Sequence, residues 1–141
     1  MSNRKADAIA LAGRLLMSLI FLMSGFHKLL APADTIRHIA ADGLPLPPAA
    51  YMVAVVCELG GGLAILLGWQ TRLAAAALAL FCLVAAGTVH YVPGNSAQMV
   101  NFWKNVTMAG GFLNVLAFGA GAISLDAWLR TRRVSHPASI A

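Results

Sequence analysis

Four long apolar stretches, at about 9–30, 49–68, 73–92 and 105–123, are separated by short polar connections. Each is close to the roughly 20 residues that an α-helix needs to cross the hydrocarbon core of a bilayer. Because backbone in lipid must satisfy its own hydrogen bonds, the pattern predicts an all-α protein. The expected architecture is a four-transmembrane-helix antiparallel bundle over residues 9–123, between an N-terminal tail (1–8) and a C-terminal tail (124–141). Between the first two spans, Ile36, Ile39 and Ala40 fall on one face, Asp34 is placed to cap and Gly43 to terminate. That pattern predicts a short amphipathic helix lying at the membrane surface. Leu44-Pro45-Leu46-Pro47-Pro48 suits an extended connection, with Pro48 pre-setting the next helix start. The link Trp69-Gln70-Thr71-Arg72 is short enough to force a hairpin of neighbouring helices. Pro93-Gly94-Asn95-Ser96 signals a turn that opens a polar connection reaching Lys104.

Composition strengthens this picture. The chain is 60% hydrophobic and 11% charged, with a mean hydropathy of +0.77, whereas soluble domains are about 25% charged. The net charge of +5 does not point to nucleic acid, because the basic residues stand at segment ends instead of forming one continuous face. The expected partner is the lipid bilayer. Arg4, Lys5, Arg14, Arg72, Arg130, Arg132 and Arg133 share one side, against Lys28, Arg37 and Lys104 on the other. The positive-inside rule then puts both termini in the cytoplasm. Tyr51, Tyr91 and Trp103 at the outer helix ends, and Trp69 and Trp128 at the inner ends, match aromatic belts. Arg14 interrupts the first apolar run, which is therefore read as a retained helix and not a cleaved signal peptide. Cys57 and Cys82 form no C-x-x-C pair and no metal-ligand spacing; they read as small apolar core residues.

Candidate chemistry centres on Glu58, the only Glu of the chain, midway along the second span. A central charge costs on the order of 2.5–3.5 kcal/mol in a bilayer and so faces protein, water or a partner. Arg14 is long enough to reach towards it, which would keep it ionised; the alternative is an unpaired, protonated acid, and either arrangement could serve helix packing alone. A second group gathers at the outer ends: Lys28, His90, Lys104 and Asn105. Such residues could hold an anion or donate protons to a quinone carbonyl, or simply anchor helix ends at lipid phosphates. Asn114 is expected to hydrogen-bond across helices. Gly60, Gly61, Gly62, Gly110 and Gly111 permit close helix approach and lack the strand-to-helix setting of a phosphate loop.

The ordered motifs Arg14-Leu15-Leu16, Phe21, Gly25 and Lys28, Gly43-Leu44-Pro45, Glu58-Leu59-Gly60-Gly61, Gly68 with Thr71-Arg72-Leu73, His90, Phe102-Trp103-Lys104-Asn105 and Ser124-Leu125-Asp126 span nearly the whole chain. In this order they resemble the DoxX family of small bacterial integral membrane proteins. The resemblance implies a four-helix bundle in the bacterial inner membrane. The family takes its name from a subunit of a thiosulfate:quinone oxidoreductase, and other members are linked to thiol and oxidative-stress handling. It therefore implies an accessory or quinone-interacting subunit of a redox system, with partner membrane or soluble redox subunits and a possible homo-oligomer.

On that expectation Glu58 and His90 carry the chemistry, and Arg14, Lys28, Lys104 and Asn105 contact quinone or an anion. No haem, flavin, iron–sulfur or metal ligand set accompanies them. Two other classes stay open: a small proton-coupled transporter exchanging protons at Glu58, and a membrane assembly factor without chemistry.

Overall fold

A computed structural model describes residues 4–135, and among them every regular element is helical. Helix α1 runs Arg4–Leu30, with Asp7 in its first turn beside Arg4 and Lys5, and His27 and Lys28 in its last turn, where basic charge complements the helix dipole. Its buried residues, Arg14, Ser18, Phe21 and Gly25, recur at helical spacing and form the stripe that faces the other helices. Helix α2, Pro32–Ala41, has a proline in its first turn and buries no residue. Asp34 does not cap it. Residue Ala31 occupies that position, and Asp34 instead pairs with Arg37. Gly43, at φ +77°, ends the element as its lack of a Cβ allows.

Helix α3, Pro47–Leu67, contains a π-helical stretch, Val56–Gly61, that carries Glu58. Helix α4, Thr71–His90, closes on a second such stretch, Ala86–His90. Both stretches mix glycine with β-branched or polar residues, which hold the regular α-helix weakly. Helix α5 spans Ser96–Phe118 and helix α6 spans Leu125–Ser135.

The fourth apolar stretch differs from expectation in its limits. Helix α5 begins nine residues before Asn105, because the Asn95 side chain accepts the Gln98 amide at 3.2 Å and caps it. It also stops at Phe118, where Gly119 takes φ +81°. Among the described residues three helices, α1, α3 and α4, are long and apolar enough to cross a membrane. The polar residues from Ser96 to Asn105 dilute α5. Beyond it, residues 125–135 of the expected tail are helical, and residues 136–141 lie outside the described residues.

Packing centres on a small-residue face of α4: Ala74, Ala75, Leu78, Ala79 and Cys82. The alanines let α5 approach, and Phe112 of α5 fills the space, edge-on to Phe21 of α1 with ring centroids 5.3 Å apart. Glycines set the α1–α3 approach: a Cβ on Gly25 would stand 2.7 Å from Leu59 Cγ, and one on Gly62 would stand 3.1 Å from Leu22. These two contacts fix the register of the antiparallel pair. The outward faces stay apolar, with Leu16, Leu80 and Phe118 exposed at 74%, 64% and 82%. In water such faces would aggregate; in lipid they are satisfied.

Candidate functional site

Lys28 stands one turn beyond Gly25 on α1, where that glycine brings the helix against α3 beside the Glu58 Cβ. Its ammonium bonds both Glu58 carboxylate oxygens, at 2.9 and 2.8 Å, and the Ser24 hydroxyl at 2.7 Å. Glu58 is only 5% exposed. Buried charge of one sign is costly; a two-oxygen grip by an ammonium with a third acceptor offsets that cost. Tyr51 adds a hydrogen bond to the Lys28 carbonyl at 3.3 Å, holding the end of α1 to α3.

Arg14 does not reach Glu58. The glycine-fixed register sets Gly25 opposite Leu59, so Arg14, about 16 Å further along α1 at 1.5 Å rise per residue, meets the far end of α3. There it donates to the carbonyls of Ile65 (3.2 Å) and Ile123, with its Nε buried and without a partner among the described residues. A Cβ at Gly68 would collide with its guanidinium, which is why the chain needs a glycine there, at φ +67°. Arg14 is thus a clamp between the α3 terminus and the turn before α6. Lys28, expected to anchor a helix end at lipid phosphates or to touch a ligand, is the residue that pairs with Glu58.

The pair forms part of the wall of a cavity of about 750 Å³ to which all of α1 to α5 contribute. His90, Lys104 and Asn105 line the same space, so five of the six residues singled out in the sequence meet in one cavity and Arg14 alone lies elsewhere. His90 Nδ1 lies 2.9 Å from the Gln98 amide oxygen, which fixes the ring across the α4–α5 junction. Asn105 donates back to the Asn101 carbonyl at 3.0 Å. Apolar side chains, among them Ile20, Phe21, Val53, Phe81 and Met108, make up much of the remaining wall. An apolar chamber with a few convergent polar groups is the usual form of a small-molecule site.

Several lining residues escape sequence reasoning. Ser24, Thr35, His38 and Asp42 all face the cavity. The i, i+4 spacing of Ser24 and Lys28 was a readable signal; the half-polar α2 face was another. Asn114 bonds its own helix at Gly110 (3.0 Å) and is exposed, so the expected cross-helix bond is absent. Cys57 and Cys82 are free thiols, and Cys82 belongs to the core. Among the described residues no cluster of His, Cys, Asp and Glu could hold a metal.

Apolar outward faces, membrane-length helices and an internally paired carboxylate beside a chamber define an integral helical membrane protein with a buried polar site. The family model for DoxX matches residues 9–91, more than half of the chain and ending at the close of α4. The chain belongs to the DoxX family. It is 37% identical to the inner membrane protein YphA of Escherichia coli (strain K12) over 123 residues, covering 84% of this chain and 88% of that protein. It is 38% identical to the inner membrane protein YqjF of the same organism over 131 residues, covering 89% of this chain and 95% of that protein. No solved structure matches it. Together with the apolar helices, these relatives support a multi-pass protein of the inner membrane.

Proposed function

We propose that the chain binds quinone in the Lys28–Glu58 cavity and serves as an accessory subunit of a redox or thiol-stress system in the bacterial inner membrane. The observation that carries this reading is the convergence of Lys28, Glu58, His90, Lys104 and Asn105 on one largely apolar cavity of about 750 Å³. A quinone is a flat apolar ring with two carbonyl acceptors. Ammonium and imidazole donors suit those carbonyls, and the Glu58 carboxylate can take or return a proton as the ring is reduced or oxidised. On this reading α1, α3, α4 and α5 form the four-span bundle, with both termini in the cytoplasm by the balance of Lys and Arg. Helix α2 lies at the membrane surface over the mouth of the cavity, and partner subunits supply the redox centres. Cation export against protons ranks second, because the Lys28 ammonium beside Glu58 repels a cationic substrate.

The test is equilibrium binding of ubiquinone and menaquinone analogues to the purified full chain in detergent. Wild-type protein should bind, and Glu58→Gln, which keeps the shape but removes the carboxylate acceptor, should weaken binding of the reduced, quinol forms about tenfold, the value of one lost charge-assisted hydrogen bond from a quinol hydroxyl. Folded wild-type protein that binds neither analogue refutes the reading. Proton release on adding a lipophilic cation, lost in Glu58→Gln, would favour transport instead.

A further inference from the structure

A second cavity, of about 480 Å³, lies at the opposite end of the helices from Lys28. It is open on one side and bounded by the α3–α4 turn, the Gly119–Gly121 turn after α5, and the first turns of α6. Two guanidinium groups line it, Arg72 and Arg130, together with Trp69, Leu73, Phe118 and Leu129. Each guanidinium is steadied by one backbone carbonyl: Arg72 donates to Ala117 and Arg130 to Asp126, both at 3.3 Å. A guanidinium has five N–H donors, so most of the donor capacity of both remains for a ligand. The acidic group of the cavity, Asp126, is already committed. Its carboxylate accepts the Gln70 amide (2.8 Å), the Thr71 amide (2.9 Å) and the Thr71 hydroxyl (2.7 Å). That leaves two cations facing one hydrogen-bonded anion, a net attraction for a further negative charge.

The apolar rim narrows the ligand. Leu73 and Phe118 are among the most exposed apolar side chains of the protein, and Trp69 is half exposed beside them. A free phosphate gains nothing from these side chains, whereas a lipid presents anion and hydrocarbon together. Helix α6 adds an amphipathic element with Leu125, Trp128 and Leu129 among its arginines, and Arg132 stacks on the Trp128 ring at 4.0 Å. Aromatic and basic residues mixed in this way belong at headgroup depth. We infer that this cavity binds the phosphodiester headgroup of an anionic phospholipid, with Arg72 and Arg130 on the phosphate oxygens and Leu73 and Phe118 along the acyl chains. The inference is independent of quinone binding at the other end.

The experiment uses the full chain in uncharged detergent, titrated with phosphatidylglycerol or phosphatidylcholine while native mass spectrometry and Trp fluorescence report binding. At about fivefold per headgroup-level arginine, wild-type protein should prefer phosphatidylglycerol about thirtyfold. The R72Q/R130Q variant should lose that preference, and R4Q/K5Q, which removes two charges of α1, should keep it. Inorganic phosphate at millimolar concentration should not compete. Equal binding of both lipids by wild-type protein overturns the proposal. So does an equal loss in R4Q/K5Q, which would mark a diffuse basic field, or full competition by inorganic phosphate, which would mark a simple anion site. Should R72Q/R130Q fail to fold, the single variants R72Q and R130Q should each lose about fivefold, and no loss in either is equally fatal.

Discussion

Replacing Lys28 by Met removes the ammonium while keeping an unbranched apolar stem of similar length. It leaves Glu58, 5% exposed, with a buried charge and no counter-ion. Breaking a buried pair by removing one partner costs about 3–5 kcal/mol. Because the Lys28 side chain is 24% exposed at the cavity edge, water reaches that end and the lower part of the range applies, about 3 kcal/mol. That is roughly a hundredfold in the folding equilibrium. The double variant K28M/E58Q removes both charges, so most of the loss should return. What persists is the bond to Ser24 and the imperfect satisfaction of the amide, about 1 kcal/mol. Reversible unfolding in mixed micelles, followed by far-ultraviolet circular dichroism, measures all four corners of the cycle. If K28M lies within about 0.5 kcal/mol of wild type, or if the double variant is no more stable than K28M, the pair does not carry the energy assigned to it. A large loss in R14Q that E58Q cancels would instead restore Arg14 as the partner.

Three further outcomes follow from the close contacts. Gly25→Ala should cost about 1–3 kcal/mol by overpacking against Leu59, whereas Gly110→Ala, with nothing within 4 Å of the added Cβ, should be neutral or stabilising by about 0.5–1 kcal/mol; the same unfolding assay decides, and equal effects would refute the α1–α3 register. Gly68→Ala should cost at least about 1–2 kcal/mol from the left-handed backbone alone, and should expose the α3–α4 turn to faster hydrogen exchange. For Asp126, burial pushes the carboxyl up, but hydrogen bonds from Thr71 and Gln70 and the charge of Arg130 outweigh it and hold it below its ordinary value. A depressed folded value means the stabilisation is fully present above about pH 4, the unfolded carboxylate range, and is lost as the pH falls through the folded value. Acid titration of Asp126→Asn should therefore show a shallower loss of stability below about pH 4 than wild type, and parallel curves would exclude the linkage.

The helical class was legible because lipid-facing residues are apolar whatever their partners, so long runs such as 73–92 declare themselves without tertiary information. Glu58 was legible for the converse reason: one carboxylate in an apolar run has to be accounted for. Its partner was not. Choosing between Arg14 and Lys28 requires the axial register of α1 on α3, and that register rests on where Gly25 and Gly62 let the backbones approach, which no periodicity encodes. The start of α5 was missed because Ser96 to Lys104 is polar enough to read as a loop, although Asn95 is a strong capping residue and could have moved the boundary. The π-helical stretches were invisible, since each is a small local imbalance between hydrogen bonding and packing with no repeat of its own.

Those stretches bear on how the site is built. Glu58 sits within one and His90 ends the other, and both residues line the same cavity. Wide turns of this kind weaken local hydrogen bonding and recur at functional positions. A helix kept purely for packing would gain from replacing the glycines of Val56–Gly61 by better helix formers. Only one of them resists on steric grounds: a Cβ on Gly61 would stand 2.9 Å from Leu78, while Gly60 faces open space. The same holds for Gly87 in the second stretch, where nothing lies within 4 Å. Neither open glycine is explained by crowding, so the two positions separate packing from function. Gly60→Ala and Gly87→Ala should stabilise the fold by about 0.5–1 kcal/mol and, if the wide turns serve the site, should weaken quinone binding at the same time. Stabilisation with binding unchanged would reduce both stretches to tolerated irregularities.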